Sequence, residues 1–238
     1  MRSFINQPMR NKMNAGRVRA FGVLVLLAAT YILVAMKISG EQDVTTKIIV
    51  SASENLTQRS NRKIVDTAVS MLRTGYLVLR MGLGADSRIL AQMNRRNKSY
   101  SHCGIVMVEN GYPFVYHSIG GEDNPDERLR RDSAQFFFSP LHNTALAVVK
   151  YDLGTEQLAE LKKTVHGYYR SRPKFDMKFD LKTDDALYCA EFVYKAVNKA
   201  VGDTNYLKTT VVAGYRFVGV DDLFVNPHTH MVWEAVFK

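Results

Sequence analysis

The chain has little positive charge where a nucleic-acid-binding domain would carry it. Of its 32 Lys and Arg residues, Arg2, Arg10, Lys12, Arg17, Arg19 and Lys37 precede the first acidic residue, Glu41, leaving 26 basic against 23 acidic residues for the remainder. Nucleic acid is therefore set aside as a partner, because a binder concentrates its surplus charge on the folded part. Cysteine is scarce as well. Two of them, Cys103 and Cys189, among 238 residues exclude a scaffold held by several disulfides. Long polar low-complexity tracts are missing too, and a hydrophobic content of 46% supplies one sizeable core, which excludes a disordered chain.

Two further absences mark a membrane segment. Ala20–Met36 runs 17 residues without a charge, and no acidic residue precedes it. At 1.5 Å per residue it covers about 25 Å, and Arg19 and Lys37 can snorkel so that Val18 and Ile38 join the span. No small-x-small cleavage site follows around Lys37–Gly40, so an uncleaved transmembrane anchor over 20–38 is preferred to a signal peptide. The basic tail 1–19 is then cytoplasmic by the positive-inside rule. The rest faces the periplasm or exterior of a single-pass protein of the inner (plasma) membrane. Residues 39–63 read as a polar stalk, and 64–238 as one folded domain.

Within that domain, Ile64, Val65, Ala68, Val69 and Leu72 form a helical stripe, and Tyr76–Arg80 reads as a strand. Residues 82–98 suggest a loop followed by a short helix. The mixed charges of Gly120–Arg131 read as a solvated surface loop, Phe136, Phe137 and Phe138 as core, and Ala145–Tyr151 as a strand. A helix opening at Thr155 places Leu158, Leu161 and Val165 on one face with His166 at the surface. Tyr215–Val220 and Met231–Phe237 look like strands. His228 and His230, beside a turn, are weak metal candidates. The class expected is α+β, with a mainly antiparallel sheet and packed helices.

Chemistry-bearing residues gather in two places. In Leu187-Tyr188-Cys189-Ala190-Glu191, Cys189 opens a stripe of Phe192, Val193, Ala196, Val197 and Ala200 that stops at Gly202, an amphipathic helix. A cysteine in its first turn meets unpaired N–H groups and the positive end of the helix dipole, which favour thiolate. The other place is a hairpin, Ser101–Val108 and Phe114–His117, joined through Asn110-Gly111, the strongest short hairpin signal. With a two-residue turn, Val108 faces Pro113 and Gly104 faces His117. His102 and His117 then lie diagonally adjacent on one face, with room left by Gly104, while Cys103 points the other way. That arrangement suits a base and the group that orients it. Because Cys103 points away from the face carrying His102, no disulfide to Cys189 is expected, giving two free thiols.

The order Gly75-Tyr76-Leu77-Val78-Leu79-Arg80, Ser101-His102-Cys103-Gly104-Ile105-Val106, Phe175-Asp176-Met177-Lys178-Phe179-Asp180, Leu187-Tyr188-Cys189-Ala190-Glu191 resembles the permuted papain-like amidases of the YiiX/YaeF type. These are a circularly permuted branch of the NlpC superfamily of cysteine hydrolases. Tyr76 stands where that family commonly has aspartate, Ala190 where it has serine, and His117 where glutamate is frequent. The resemblance implies a permuted papain-like domain with Cys189 as nucleophile, His102 as base and His117 as third group, without a cofactor or catalytic metal. Tyr188 and Tyr76 are candidates for lining the substrate site. The activity it implies is hydrolysis of an amide or ester by acyl transfer, acting on peptidoglycan peptides or on lipid-linked substrates. The other classes carried forward are a lipid amidase or acyltransferase, and a non-catalytic envelope protein binding metal through the two histidines and the cysteine.

Overall fold

The computed structural model describes residues 53–121, 124 and 126–238, together with Thr30, Val34 and Lys37. Those three are helical and exposed, and the rest of the 20–38 anchor lies outside the described residues. Among the described residues no helix is long and apolar enough to cross a membrane. The chain divides into Met1–Leu56 and Thr57–Lys238. The second unit carries every element discussed below, apart from the first residues of a helix, α1, over 53–71. That helix starts inside the stretch read as stalk. It is tied to the chain end by Asn61, whose side chain donates to the carbonyl of Lys238 (3.0 Å) and accepts from its N–H (3.1 Å).

Six antiparallel strands form the sheet, in the order β4 (Arg130–Ser133), β3 (Tyr112–His117), β2 (His102–Glu109), β1 (Leu77–Gly82), β5 (Asn143–Tyr151) and β8 (Thr229–Val236). Helix α2 (Ala85–Met93) follows β1, and the short α3 (Ala134–Phe137) follows β4. Helices α4 (Thr155–Ser171) and α5 (Cys189–Val201) precede a two-stranded ribbon, β6 (Thr210–Val212) and β7 (Tyr215–Phe217), and a 3-10 turn at Val220–Leu223. The strand expected over Tyr215–Val220 is therefore shorter, and its end winds into that turn.

Because side chains alternate along each strand, the sheet has two apolar faces. Leu77, Leu79, Cys103, Ile105 and Met107 pack with Leu161 and Val165 of α4 and with Phe192, Val193, Ala196 and Val197 of α5. Val78, Val106, Val115, Leu146 and Val148 pack on the other face with Val65 and Ala68 of α1 and Phe137 of α3. Of the aromatic run, Phe137 and Phe138 are core, whereas Phe136 is 52% exposed. The short helix that begins at Ala134 turns its side chain outward.

The hairpin has the expected register. Val108 pairs with Pro113 and Ile105 with Tyr116, and both turn residues have positive φ, 49° at Asn110 and 83° at Gly111. These are the conformations a two-residue primed turn needs. Gly104 is sterically obligatory. A Cβ there would stand 2.5 Å from Cγ1 of Val115, 2.9 Å from the carbonyl oxygen of Tyr116 and 3.0 Å from Cβ of His117. Gly104→Ala is expected to cost about 1–3 kcal/mol through overpacking, measured as a lower urea midpoint. An unchanged midpoint would show that the strand is not packed as described.

Candidate active site

His102 is the first residue of β2 and His117 the last of β3, so both rings stand at one end of the sheet. Nε2 of His102 lies 2.9 Å from Nδ1 of His117, and Nε2 of His117 lies 3.0 Å from Oδ2 of Asp132 on β4. Asp132 was not foreseen. It arrives because Val115 pairs with Asp132 in the β3–β4 ladder, which puts its carboxylate on the face carrying His117. Arg130 donates to its other oxygen at 2.9 Å.

The chain of three fixes the tautomers. A carboxylate only accepts, so the proton of neutral His117 sits on Nε2 and its Nδ1 is bare. Nε2 of His102 must then donate, which leaves Nδ1 of His102 as the basic atom. Burial lowers the pKa of His102 well below the ordinary imidazole value, helped by the nearby charges of Arg80 and His117. His117 is also lowered, by burial and Arg80 against the pull of Asp132. Burial opposes ionisation of Asp132, but hydrogen bonds from His117 and Arg130 outweigh it and hold the carboxyl below its usual range. Arg80 is placed by β1, opposite His102 in the ladder, where it donates to Oδ1 of Asn143 (3.0 Å) and lies over the Phe137 ring.

Cys189 is the first residue of α5, whose amphipathic face is buried and whose end is capped by Gly202 in the left-handed conformation (φ 75°). Both cysteines are free and buried. Neither is bridged, as expected, and Cys103 stands close enough to Cys189 for each thiol to shift the ionisation of the other. Alternation does turn Cys103 away from His102, but α5 covers that very face. The thiol of Cys103 donating to its sulfur lowers the pKa of Cys189 against the cost of burial, with further help from the N–H groups of Ala190 and Cys103 and the charge of Arg80. Burial pushes the Cys103 thiol up. Among the described residues no hydrogen bond joins Cys189 to His102. Cys189 and His102 come from opposite faces of the sheet and both line a cleft of about 750 Å³.

The two tyrosines part company. Tyr188 borders the cleft, but its hydroxyl accepts the N–H of Val218 at 2.7 Å and the residue is buried, so it braces the wall. Tyr76 does not reach the cleft. It precedes β1 at the opposite end from Arg80 and packs against the α1 face, which corrects its assignment as a substrate-lining residue. Beneath the nucleophile helix, Glu191 accepts from the N–H of Tyr188 (3.3 Å) and pairs with Lys195 (2.9 Å). Burial pushes its carboxyl up to about 7.

The chain thus carries a histidine strand, β2, ahead of a cysteine helix, α5. Among solved structures the fold is similar to the crystal structure of the metalloprotein yiiX from Escherichia coli O157:H7, at 19% identity and a TM-score of 0.56 over 69% of this chain and 98% of that one. The chain therefore has a YiiX-like fold. No family model matches the sequence, and no curated protein matches it.

The electrostatics of the imidazoles have a measurable consequence. An unfolded chain protonates histidine near pH 6.5, whereas the folded chain keeps His102 and His117 neutral to lower pH. Below that value the unfolded state binds more protons, so stability falls as pH falls. Glu191 acts in the opposite sense up to about pH 7, because its carboxyl holds its proton longer in the folded state. Comparison with a His102→Gln/His117→Gln variant separates the two. Wild type is expected to lose about 1–3 kcal/mol more than the variant between about pH 7.5 and 5 in urea titrations, and parallel losses would mean that the imidazoles titrate normally.

Proposed function

We propose that the chain is a cysteine hydrolase that cleaves an amide or ester bond through an acyl-enzyme on Cys189. The observation that carries this reading is the directional chain Asp132–His117–His102, which leaves Nδ1 of His102 bare on the same cleft as a thiol whose pKa is lowered. A YiiX-like fold is compatible with a hydrolase. In the reaction, Sγ of Cys189 attacks the carbonyl carbon and its proton passes to Nδ1 of His102. The imidazolium so formed, held by His117 and Asp132, gives that proton to the departing amine or alcohol. Water then attacks the thioester with His102 as base, releasing the acid and restoring the thiol. The N–H groups of Cys103 and Ala190, which favour negative charge on the sulfur, would meet charge developing on the substrate.

The setting proposed is the cell envelope, with 1–19 in the cytoplasm, 20–38 as anchor, 39–63 as stalk and the catalytic domain outside the inner membrane. Peptidoglycan peptides and lipid-linked amides or esters are both reachable there, and transfer of the acyl group to an acceptor other than water uses the same intermediate. The metal-binding reading has less support. The similar solved structure is of a protein described as a metalloprotein. In this chain, however, His117 engages both nitrogens within the relay, which leaves one nitrogen and one sulfur, and no group of three His, Cys, Asp or Glu side chains among the described residues is placed to hold a metal ion. The residues present do not fit a resident metal.

The test is turnover of p-nitrophenyl acetate, with trapping of acylated Cys189 by peptide mass spectrometry. Cys189→Ala is expected to abolish both signals, and His102→Gln to lower kcat by about 10²–10⁴-fold. A chelator is expected to change neither. Turnover that survives in Cys189→Ala, or that disappears with chelator, sinks the proposal.

The pKa of Cys189 is lowered by groups other than an imidazole, and alkylation reads this out. Iodoacetamide labelling of Cys189 against pH is expected to keep its midpoint in His102→Gln and to move to higher pH in Cys103→Ala. The reverse pattern would assign activation of the sulfur to His102.

A further inference from the structure

Strand β4 forms one edge of the sheet, and a second cavity, of about 460 Å³, opens beside it. The segment entering β4, the strand itself and the C-terminal end of α4 bring Arg128, Arg130, Arg131, Arg170 and Arg172 to that one opening. Two carboxylates, Asp126 and Asp132, share the lining, so the described residues around the cavity carry a surplus of three positive charges. The walls are braced by other atoms. Asn124, which is buried, donates to the carbonyls of Ile119 and Arg128, both at 2.7 Å, and the N–H of Leu129 reaches the carbonyl of Pro173 at 3.2 Å.

The carboxylates are already committed. Asp126 accepts from Arg172 at 2.9 Å, and Asp132 divides its oxygens between Arg130 and His117. Arg131 pairs with Glu109 and lies over the Phe114 ring. Arg128 gives one N–H to the carbonyl of Arg172 and Arg172 gives one to Asp126, while no carboxylate among the described residues pairs with Arg170. A guanidinium carries five donors, so most of those on Arg128, Arg170 and Arg172 have no protein partner. Like charges gathered at one opening repel, and an anion between them removes that cost. A carboxylate is met by one guanidinium fork, whereas a phosphoryl group presents three acceptor oxygens on one centre and is matched by several forks. The volume falls within the range of small-molecule sites, roughly 300–1,000 Å³, and so accommodates the carrier of the group as well.

We infer that the cavity beside β4 binds a phosphoryl group, carried on a small soluble ester or on a lipid headgroup, through Arg128, Arg170 and Arg172. The site is separate from the cleft that Cys189 and His102 line, and its occupation does not depend on the hydrolase reading.

Titration calorimetry on the full chain tests this with three probes: glycerol 3-phosphate, dihexanoyl phosphatidylglycerol below its micelle-forming concentration, and glutarate, a dicarboxylate of similar charge to the phosphate monoester. Saturable binding of at least one phosphoryl compound is expected, about tenfold or more tighter than that of glutarate. Arg170→Gln and Arg172→Gln, at exposed positions that leave the fold intact, are each expected to weaken it by about tenfold or more. Lys162→Gln removes an exposed charge of α4 outside the cavity and is expected to change it by less than about twofold, because solvent and salt screen a distant charge. Tighter binding of glycerol 3-phosphate assigns the site to a soluble phosphate ester, and tighter binding of the lipid diester to a headgroup. The inference is overturned by glutarate binding equally well, by no binding of either phosphoryl compound, or by binding that the two arginine variants weaken no more than Lys162→Gln does. None of these outcomes bears on turnover at Cys189.

Discussion

The 2.9 Å hydrogen bond between Nε2 of His102 and Nδ1 of His117 sets the direction in which everything else in the site can work. It exists because a two-residue turn fixes the register of β2 against β3, and because Gly104 places no Cβ between the rings. Given that bond and the acceptor-only carboxylate of Asp132, the protons have one consistent arrangement when both rings are neutral. His102 is left with a bare nitrogen at the end of the sheet, where the cleft opens. A slip of one residue between β2 and β3 would turn the two rings to opposite faces and dissolve the relay.

Cysteine and imidazoles reach that cleft from opposite sides of the sheet. Cys103 and His102 are consecutive residues whose side chains point to opposite faces, so the face that buries α5 also brings Cys103 against Cys189. Ionisation of the sulfur is consequently favoured by a neighbouring thiol and by main-chain N–H groups. A neutral thiol donating to a sulfur keeps the buried pair at no more than one negative charge, which is the less costly way to hold a thiolate away from water. The imidazole is thereby free to serve the substrate.

Much of this was legible in the sequence, and the failures share a cause. Local signals gave the hairpin, the adjacency of His102 and His117, and the helix opened by Cys189, because turn chemistry and periodicity act over a few residues. Asp132 and Arg80 escaped because their positions depend on the registers of β4 with β3 and of β1 with β2, set through connections that carry no turn signature. Asp132 also directly follows the mixed-charge stretch Gly120–Arg131, which reads as solvated surface until β4 pairs. The two free thiols were legible, but not the influence of Cys103 on Cys189, since alternation says which face a residue takes and not which helix covers that face. Tyr76 shares a strand region with Arg80, yet the length of β1 carries it to the far end of the sheet.

Arg80 gives the site its electrostatic asymmetry. Its charge favours the Cys189 thiolate and disfavours the His102 imidazolium, so a single side chain lowers the pKa of both partners. Were the two groups an ion pair, the imidazolium would be the main support of the thiolate, and losing its proton would weaken the nucleophile. Here the supports of the sulfur are Cys103, two N–H groups and Arg80, none of which titrates with His102. In the proposed reaction an imidazolium on His102 would therefore be a strong acid with no stabilising thiolate to retain its proton, and burial that opposes its resting protonation would favour passing that proton to a leaving amine or alcohol.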